Sequence, residues 1–455
     1  MHDYAARDFL DTGILEKLAG RFRLAFASTD RLTLDLSPYG PIVSKQRLAP
    51  WRYRIYRLAA SFWHLVVRET YEIVPRYGLI EAAAVGGARL FPWIRAFWKA
   101  GAAKPLSLFL RQILRVSTPN LIAGERPSAI LVYTSVRSFF ADDIVRNART
   151  LDIPLLALTN NWDNLNTKCF LEIPQYLGVW GEQAFLIARL LHQIPAHRIF
   201  VVGSPRFEIY RGATPSREAA AAKLSIPSKR KVILFCGSGV PFDEVSLLQE
   251  LDDSIKDGRL PADLYILYKP HPIRWTRTSE TPLDECKFKN VAVFAATNRT
   301  LTELEVYPAL FAASTAVISP FSTMVMEGAR HGLPSLCLGY NDPAHSALDW
   351  GRAAFNLHLY AMRHADWAVI CESRADFLSS CRKLISLIDR PEIADLARAS
   401  AEFVTRSGQS PTADRLVTAL TEIMNGRDAD QSFMASKART APELIEAPKA
   451  SLSKD

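Results

Sequence analysis

The chain has little with which to staple itself or to cross a bilayer. Its six cysteines (Cys169, Cys236, Cys286, Cys337, Cys371 and Cys381) are scattered, and no two stand at the spacing of a zinc or redox motif. No uncharged apolar run of about eighteen residues occurs, so no membrane-spanning helix is expected. The opening residues, Met1 to Gly13, lack the charged, apolar and small-residue succession of a signal peptide. Together these absences predict a cytoplasmic protein with reduced thiols. The full dinucleotide fingerprint is also missing, because Gly237-Ser238-Gly239 has neither a third glycine nor a downstream acid. No Asp-x-Asp pair follows any strand-like run, so neither a metal nor a resident cofactor is expected.

What is present fits two globular domains. At 455 residues, 49% hydrophobic and 22% charged, the chain exceeds one ordinary core and is far from disordered composition. The net charge of +8 permits a nucleic-acid, anionic-membrane or phosphorylated partner and selects none of them. Its distribution is more telling. Over 44–115, cations such as Arg52, Arg57, Arg95, Lys99 and Arg111 alternate with Trp51, Tyr53, Tyr56, Trp63, Trp93 and Trp98 along helix-compatible stretches. Aromatics at headgroup depth and cations on anionic lipid are what an interfacial helix needs, so this segment is expected to touch an anionic membrane surface, with no nucleic-acid partner; the alternative is an ordinary helical insertion whose aromatics are core and whose arginines are solvated.

Around that segment the periodicity is α/β. Helical spacing over 5–20 precedes a strand-like 24–27, and the opening strand of a doubly wound domain is expected to be missing or displaced. Strands at 129–133, 155–158, 175–180 and 199–203 alternate with helices at 142–150 and 182–192, implying parallel βαβ units. A second series runs through strands at 232–236, 264–268, 291–294, 316–319 and 335–338, with helices near 246–256, 302–312 and 322–331. The expectation is an N-terminal domain over 1–207 carrying the 44–115 insertion, a second domain over 208–427 closed by the helical stretches 374–390 and 392–425, one of them able to cross back to the first domain, and a disordered tail over 428–455. The cleft between two such domains is the expected ligand site.

Candidate chemistry gathers at strand ends. The run Asp263–Tyr268 stops in Lys269-Pro270-His271-Pro272, because prolines cannot donate to a ladder, and it holds Lys269, His271 and Arg274 at a strand's carboxyl end as an anion site. Gly237 and Ser238 let backbone amides approach an anion after another strand. After a third, Ser319-Pro320-Phe321-Ser322-Thr323 opens a helix that Ser322 could cap, and Glu327 one turn on could receive ribose hydroxyls or hold a partner side chain. In the first domain, Asp142, Asp143 or Asp163 is the candidate base, with Asn161, Trp162 and Lys168 on the acceptor side.

These motifs resemble glycosyltransferases of the GT-B fold. The His-Pro pair at His271-Pro272 is similar to that of bacterial sialyltransferases, capsule Kdo transferases and teichoic-acid glycerophosphotransferases, which use cytidine-nucleotide donors. The resemblance implies two tandem Rossmann-like domains, with His271 and Ser322-Thr323 as donor-phosphate contacts. It further implies an inverting, metal-independent transfer from a nucleotide-activated sugar to a glycan or lipid-linked acceptor at the inner face of the cytoplasmic membrane. The alternatives are a glycerophosphotransferase, a sugar-nucleotide 2-epimerase and a non-catalytic membrane-associated partner. The acidic motif that supplies the base in sialyltransferases is not evident here.

Overall fold

A computed structural model of the chain describes residues 3–29, 32–46, 49–70, 96–97, 100–122, 124–136, 138–237, 239, 242–272, 287–294, 304–340, 357–363, 365–408 and 410–429. Two compact units result. The first joins Met1–Pro205 with Asn356–Tyr360 and Thr405–Asp455, and the second joins Arg206–Phe355 with Ala361–Val404.

In the first unit, β1 (Phe26–Thr29) and β2 (Ile42–Gln46) form a separate parallel ribbon. The main sheet is β3 (Ile130–Thr134), β4 (Leu155–Thr159), β5 (Tyr176–Val179) and β6 (Ile199–Val201), parallel and in chain order. A parallel sheet is covered on both faces, which is why the β4 sequence is an unbroken apolar run rather than an alternation. Leu155 and Ala157 face the helices Phe139–Thr150 and Glu182–His192. Leu156 and Leu158 face the opposite layer, built from Asp3–Leu10, Ile14–Ala19 and Thr412–Met424. The single helix expected over 5–20 is broken at Gly13, whose φ of 70° ends one helix and starts the next. The last helix thus belongs to the first unit, and the second unit stops at Val404 instead of 427, because the apolar face carrying Leu416 and Ile423 is what covers Leu156 and Leu158.

The second unit holds β7 (Lys231–Cys236), β8 (Leu264–Lys269), β9 (Val291–Val293), β10 (Ala316–Pro320), β11 (Ser335–Leu338) and β12 (Ala368–Cys371). All pair in parallel, in the order β12-β11-β10-β7-β8-β9. Counted from the unit's own first strand this is 3-2-1-4-5-6, the order of the dinucleotide-binding fold. Its core sets Ile233, Phe235 and Ile266 against Leu247, Leu248 and Leu251 of the helix Glu244–Lys256. That helix begins two residues before its expected start because Asp243 caps it, accepting the Ser246 amide at 3.2 Å. Both units are therefore Rossmann-like α/β structures. The tail over 430–455 lies outside the described residues.

Candidate functional site

From β7 the chain winds outward through β8 and β9, and from the adjacent β10 it winds the opposite way through β11 and β12. The loops leaving β7 and β10 at their carboxyl ends consequently diverge and open a crevice, the switch point where open α/β sheets bind ligands. Gly237 follows β7 directly. Its amide donates to the Lys269 carbonyl at 2.8 Å, and a methyl group there would stand 2.8 Å from the His271 nitrogen and 2.9 Å from Oε2 of Glu244. Only glycine fits. The backbone of Gly239 lies against the His271 imidazole, where an added methyl would meet Cε1 and Nε2 at 3.2 Å. Two residues expected to contact an anion, Gly237 and His271, are thus packed together at one rim. Ser238 and Arg274 lie outside the described residues.

On the other side of the switch point, the hydroxyls of Ser319 and Ser322 are 2.8 Å apart. Ser319 is fully buried. Ser322 sits in extended conformation, φ −151° and ψ 166°, ahead of the helix Thr323–Arg330. Its side chain does not cap that helix, contrary to the expected role, because the hydroxyl is engaged with Ser319. For Glu327 the structure takes the second of its two expected roles. It has no exposed surface; Oε1 accepts from Nε of Arg206 at 2.9 Å and Oε2 accepts the Tyr210 hydroxyl, so it holds partner side chains and not ribose hydroxyls.

Lys269 points inward. The residue is buried, its Nζ lies 5.0 Å from the Tyr307 ring centroid, and the Arg206 guanidinium is 4.8 Å from the same ring. Burial alone would push the Tyr307 hydroxyl up; the two cations outweigh it and bring it below its ordinary value. Lys269 is accordingly an internal charge beneath the rim and not an open anion ligand. Cys236, next to it, is pushed up to about 12 by burial and remains a thiol. Tyr210, Glu244 and Tyr307 carry no motif-level signal, since each acquires its role from long-range packing.

In the first unit the three candidate acids separate. Asp143 is fully buried in the helix Phe139–Thr150, takes Nη1 and Nη2 of Arg52 at 2.8 Å each, and takes Nη1 of Arg146 at 2.8 Å. Burial raises Asp142 well above the usual carboxylate range, more than neighbouring Arg146 lowers it. Neither stands as an open base: one is locked between arginines and the other is buried. Arg52 is corrected with them, because this expected lipid contact is buried on Asp143.

Asp163 has a different setting. It follows β4 in the turn Asn161-Trp162-Asp163, where Trp162 is buried with its ring edge-on to His358, centroids 5.0 Å apart. Gln183 donates from Nε2 to the His358 carbonyl at 2.7 Å. Among the described residues, Oδ1 of Asp163, Nδ1 of His358 and Oε1 of Gln183 have no hydrogen-bond partner. Burial brings the imidazole down to about 4, outweighing the opposing pull of Asp163, so it is neutral at pH 7. Lys168 donates to Oδ1 of Asn164 at 3.0 Å, and Oδ1 of Asn161 accepts the Trp162 amide at 2.9 Å, so both serve the turn. His358 arrives from almost two hundred residues downstream, and no local pattern marks it.

No family model and no curated protein sequence matches the chain. Among solved structures, a UDP-N-acetylglucosamine 2-epimerase from Listeria monocytogenes is similar over 70% of this chain and 80% of its own, with 12% identity and a TM-score of 0.45. The UDP-GlcNAc 2-epimerase from Neisseria meningitidis is similar over 69% and 81%, with 16% identity and a TM-score of 0.41. The wall teichoic acid polymerase TagF is similar over 56% and 59%, with 15% identity and a TM-score of 0.39. What defines the fold of this chain is its own strand order.

Proposed function

We propose that the chain is an inverting, metal-independent glycosyltransferase of GT-B type that moves a sugar from a nucleotide-activated donor to a glycan or lipid-linked acceptor. The observation that carries this reading is the meeting of Gly237, Gly239 and His271 at the β7/β10 switch point, opposite Ser322 and Thr323. Donor phosphate would be received by His271 and by backbone amides after β7 and at the start of Thr323–Arg330, so charge developing on the leaving nucleotide is met by fixed dipoles. Lys269 and Arg206, held against Tyr307, add positive potential from below. On the acceptor side, Asp163 with His358 would take the hydroxyl proton.

The protein would work at the inner face of the cytoplasmic membrane. Supporting this, the helices Pro50–Thr70 and Ala103–Val116 expose Trp51, Tyr53 and Phe109, with Phe97 exposed nearby. Trp93 and the rest of 71–95 lie outside the described residues. Among the described residues no helix is long and apolar enough to cross a membrane.

Calorimetry with cytidine and uridine diphosphates tests the donor site. Binding of one of them, lost in His271→Ala at unchanged thermal stability, is the expected result, and EDTA should not alter it. Full binding by His271→Ala overturns the assignment. A chain that binds neither nucleotide is a non-catalytic partner, and one that alters the donor sugar without acceptor is an isomerase.

A further inference from the structure

A second charged site lies in the first unit, whereas the switch-point residues belong to the second. The carboxylate of Glu172, almost fully enclosed, faces four guanidiniums: Arg149 at 3.0 Å, Arg115 at 3.2 Å, Arg146 at 3.3 Å and Arg111 at 4.0 Å. Asp143 neutralises Arg52 and shares Arg146. Burial raises the carboxyl of Asp142, the remaining acid of the cluster, well above its ordinary range. Five arginines thus face three carboxylates, which leaves cations in excess.

Such an excess in a largely desolvated place calls for a further anion. A cleft of about 460 Å³ opens beside the cluster, lined by Arg115, Arg146, Arg149, Thr118, Asn120 and Leu151. Arg146 is 5% exposed, and among the described residues its Nη2 has no hydrogen-bond partner. Arg115 and Arg149 are about half exposed, so their guanidiniums can turn toward an incoming group. Leu151 at the cleft, and Ile173, whose carbonyl accepts from Arg149, are exposed apolar side chains next to these cations.

We infer that this cleft is an anion site for a phosphate ester, with Arg146 at its base and Arg115 and Arg149 as movable clamps. Three planar guanidiniums lining one cleft suit the tetrahedral oxygens of a phosphate, and the apolar rim suits an ester carrying hydrocarbon. The site is built from residues of the first unit alone and does not depend on the reading of the donor rim.

The test uses the full chain, wild type and Arg115→Gln/Arg149→Gln, in two arms. One is calorimetry with inorganic pyrophosphate. The other is flotation with phosphatidylcholine vesicles, with and without phosphatidic acid. The expected result is binding in at least one arm that falls tenfold or more in the double variant, while thermal stability and nucleotide binding at the other unit stay unchanged. Loss confined to vesicles identifies a lipid phosphate, and loss in the soluble arm a free one. Binding in neither arm, equal binding by the double variant, or equal displacement by sulfate at matched ionic strength overturns the inference. A nucleotide site that fails with this site intact would count against the transferase reading alone.

Discussion

Arg206 and Glu327 form a salt bridge at 2.9 Å in which the acid has no exposed surface and the cation is mostly covered by Tyr307. A buried carboxylate stripped of its cation is an uncompensated charge. Arg206→Ala should therefore lower unfolding stability by about 3–5 kcal/mol, and Tyr210→Phe, which removes the second donor to the same carboxylate, by about 1–3 kcal/mol. Urea titrations read both. A loss under 1 kcal/mol for Arg206→Ala would contradict the pairing.

Gly237→Ala places a methyl where the His271 amide and the Glu244 carboxylate already stand, at 2.8 and 2.9 Å. Nucleotide binding should weaken at least tenfold. Gly328→Ala serves as the comparison, since its methyl would meet Val317 Cγ2 at 2.6 Å in the core of the same unit. That variant should lose stability while the folded fraction binds normally. If both variants bind alike, the crevice does not lie where Gly237 places it.

For the acids of the Phe139–Thr150 helix, the expected pattern is unequal. Asp143→Asn leaves Arg52 and Arg146 without their shared counter-charge and should destabilise by about 3–5 kcal/mol. Asp142→Asn replaces a carboxyl that burial pushes well above its ordinary range with a near-isostere and should change stability much less. Thermal unfolding of the two proteins side by side decides it, and equal losses would mean that Asp142 is ionised.

The pH dependence follows from three imidazoles. Burial brings His192, His331 and His358 each to about 4, against 6.5 for an ordinary histidine. Within that window the unfolded chain holds a proton that the folded chain does not, so stability falls as pH drops from 6.5 toward 4. The slope is about 1.4 kcal/mol per pH unit for each group. Melting temperatures taken across the window should show it, and His331→Asn should flatten the curve. An unaltered slope would indicate that His331 titrates normally when folded.

Much of the architecture was legible because parallel strands, buried on both faces, write themselves as short apolar runs: Val232–Cys236, Leu264–Tyr268 and Ala316–Ser319 all lie within strands of the sheet. The strand Ala368–Cys371 escaped because four residues with no turn signal carry too little pattern. Glycine and histidine beside one another at the rim were readable as strand-end chemistry. The sorting of the acids was not, since Asp142, Asp143 and Asp163 look equivalent until Arg52, Arg146 and His358 arrive from distant parts of the chain. The arginines told least. Arg52 stands in an aromatic, basic segment that reads as interfacial, yet its position on the helix turns it onto a buried carboxylate.

The helix Thr412–Met424 covers one face of a sheet whose strands are complete by Val201. During synthesis the ribosome releases that sheet some two hundred residues before its cover exists, so the nascent first unit must carry Leu156, Leu158 and Tyr176 partly uncovered while the whole second unit is being made. Folding of this chain is completed from its carboxyl end, and the long interval of exposed apolar sheet is where holdase chaperones would find it.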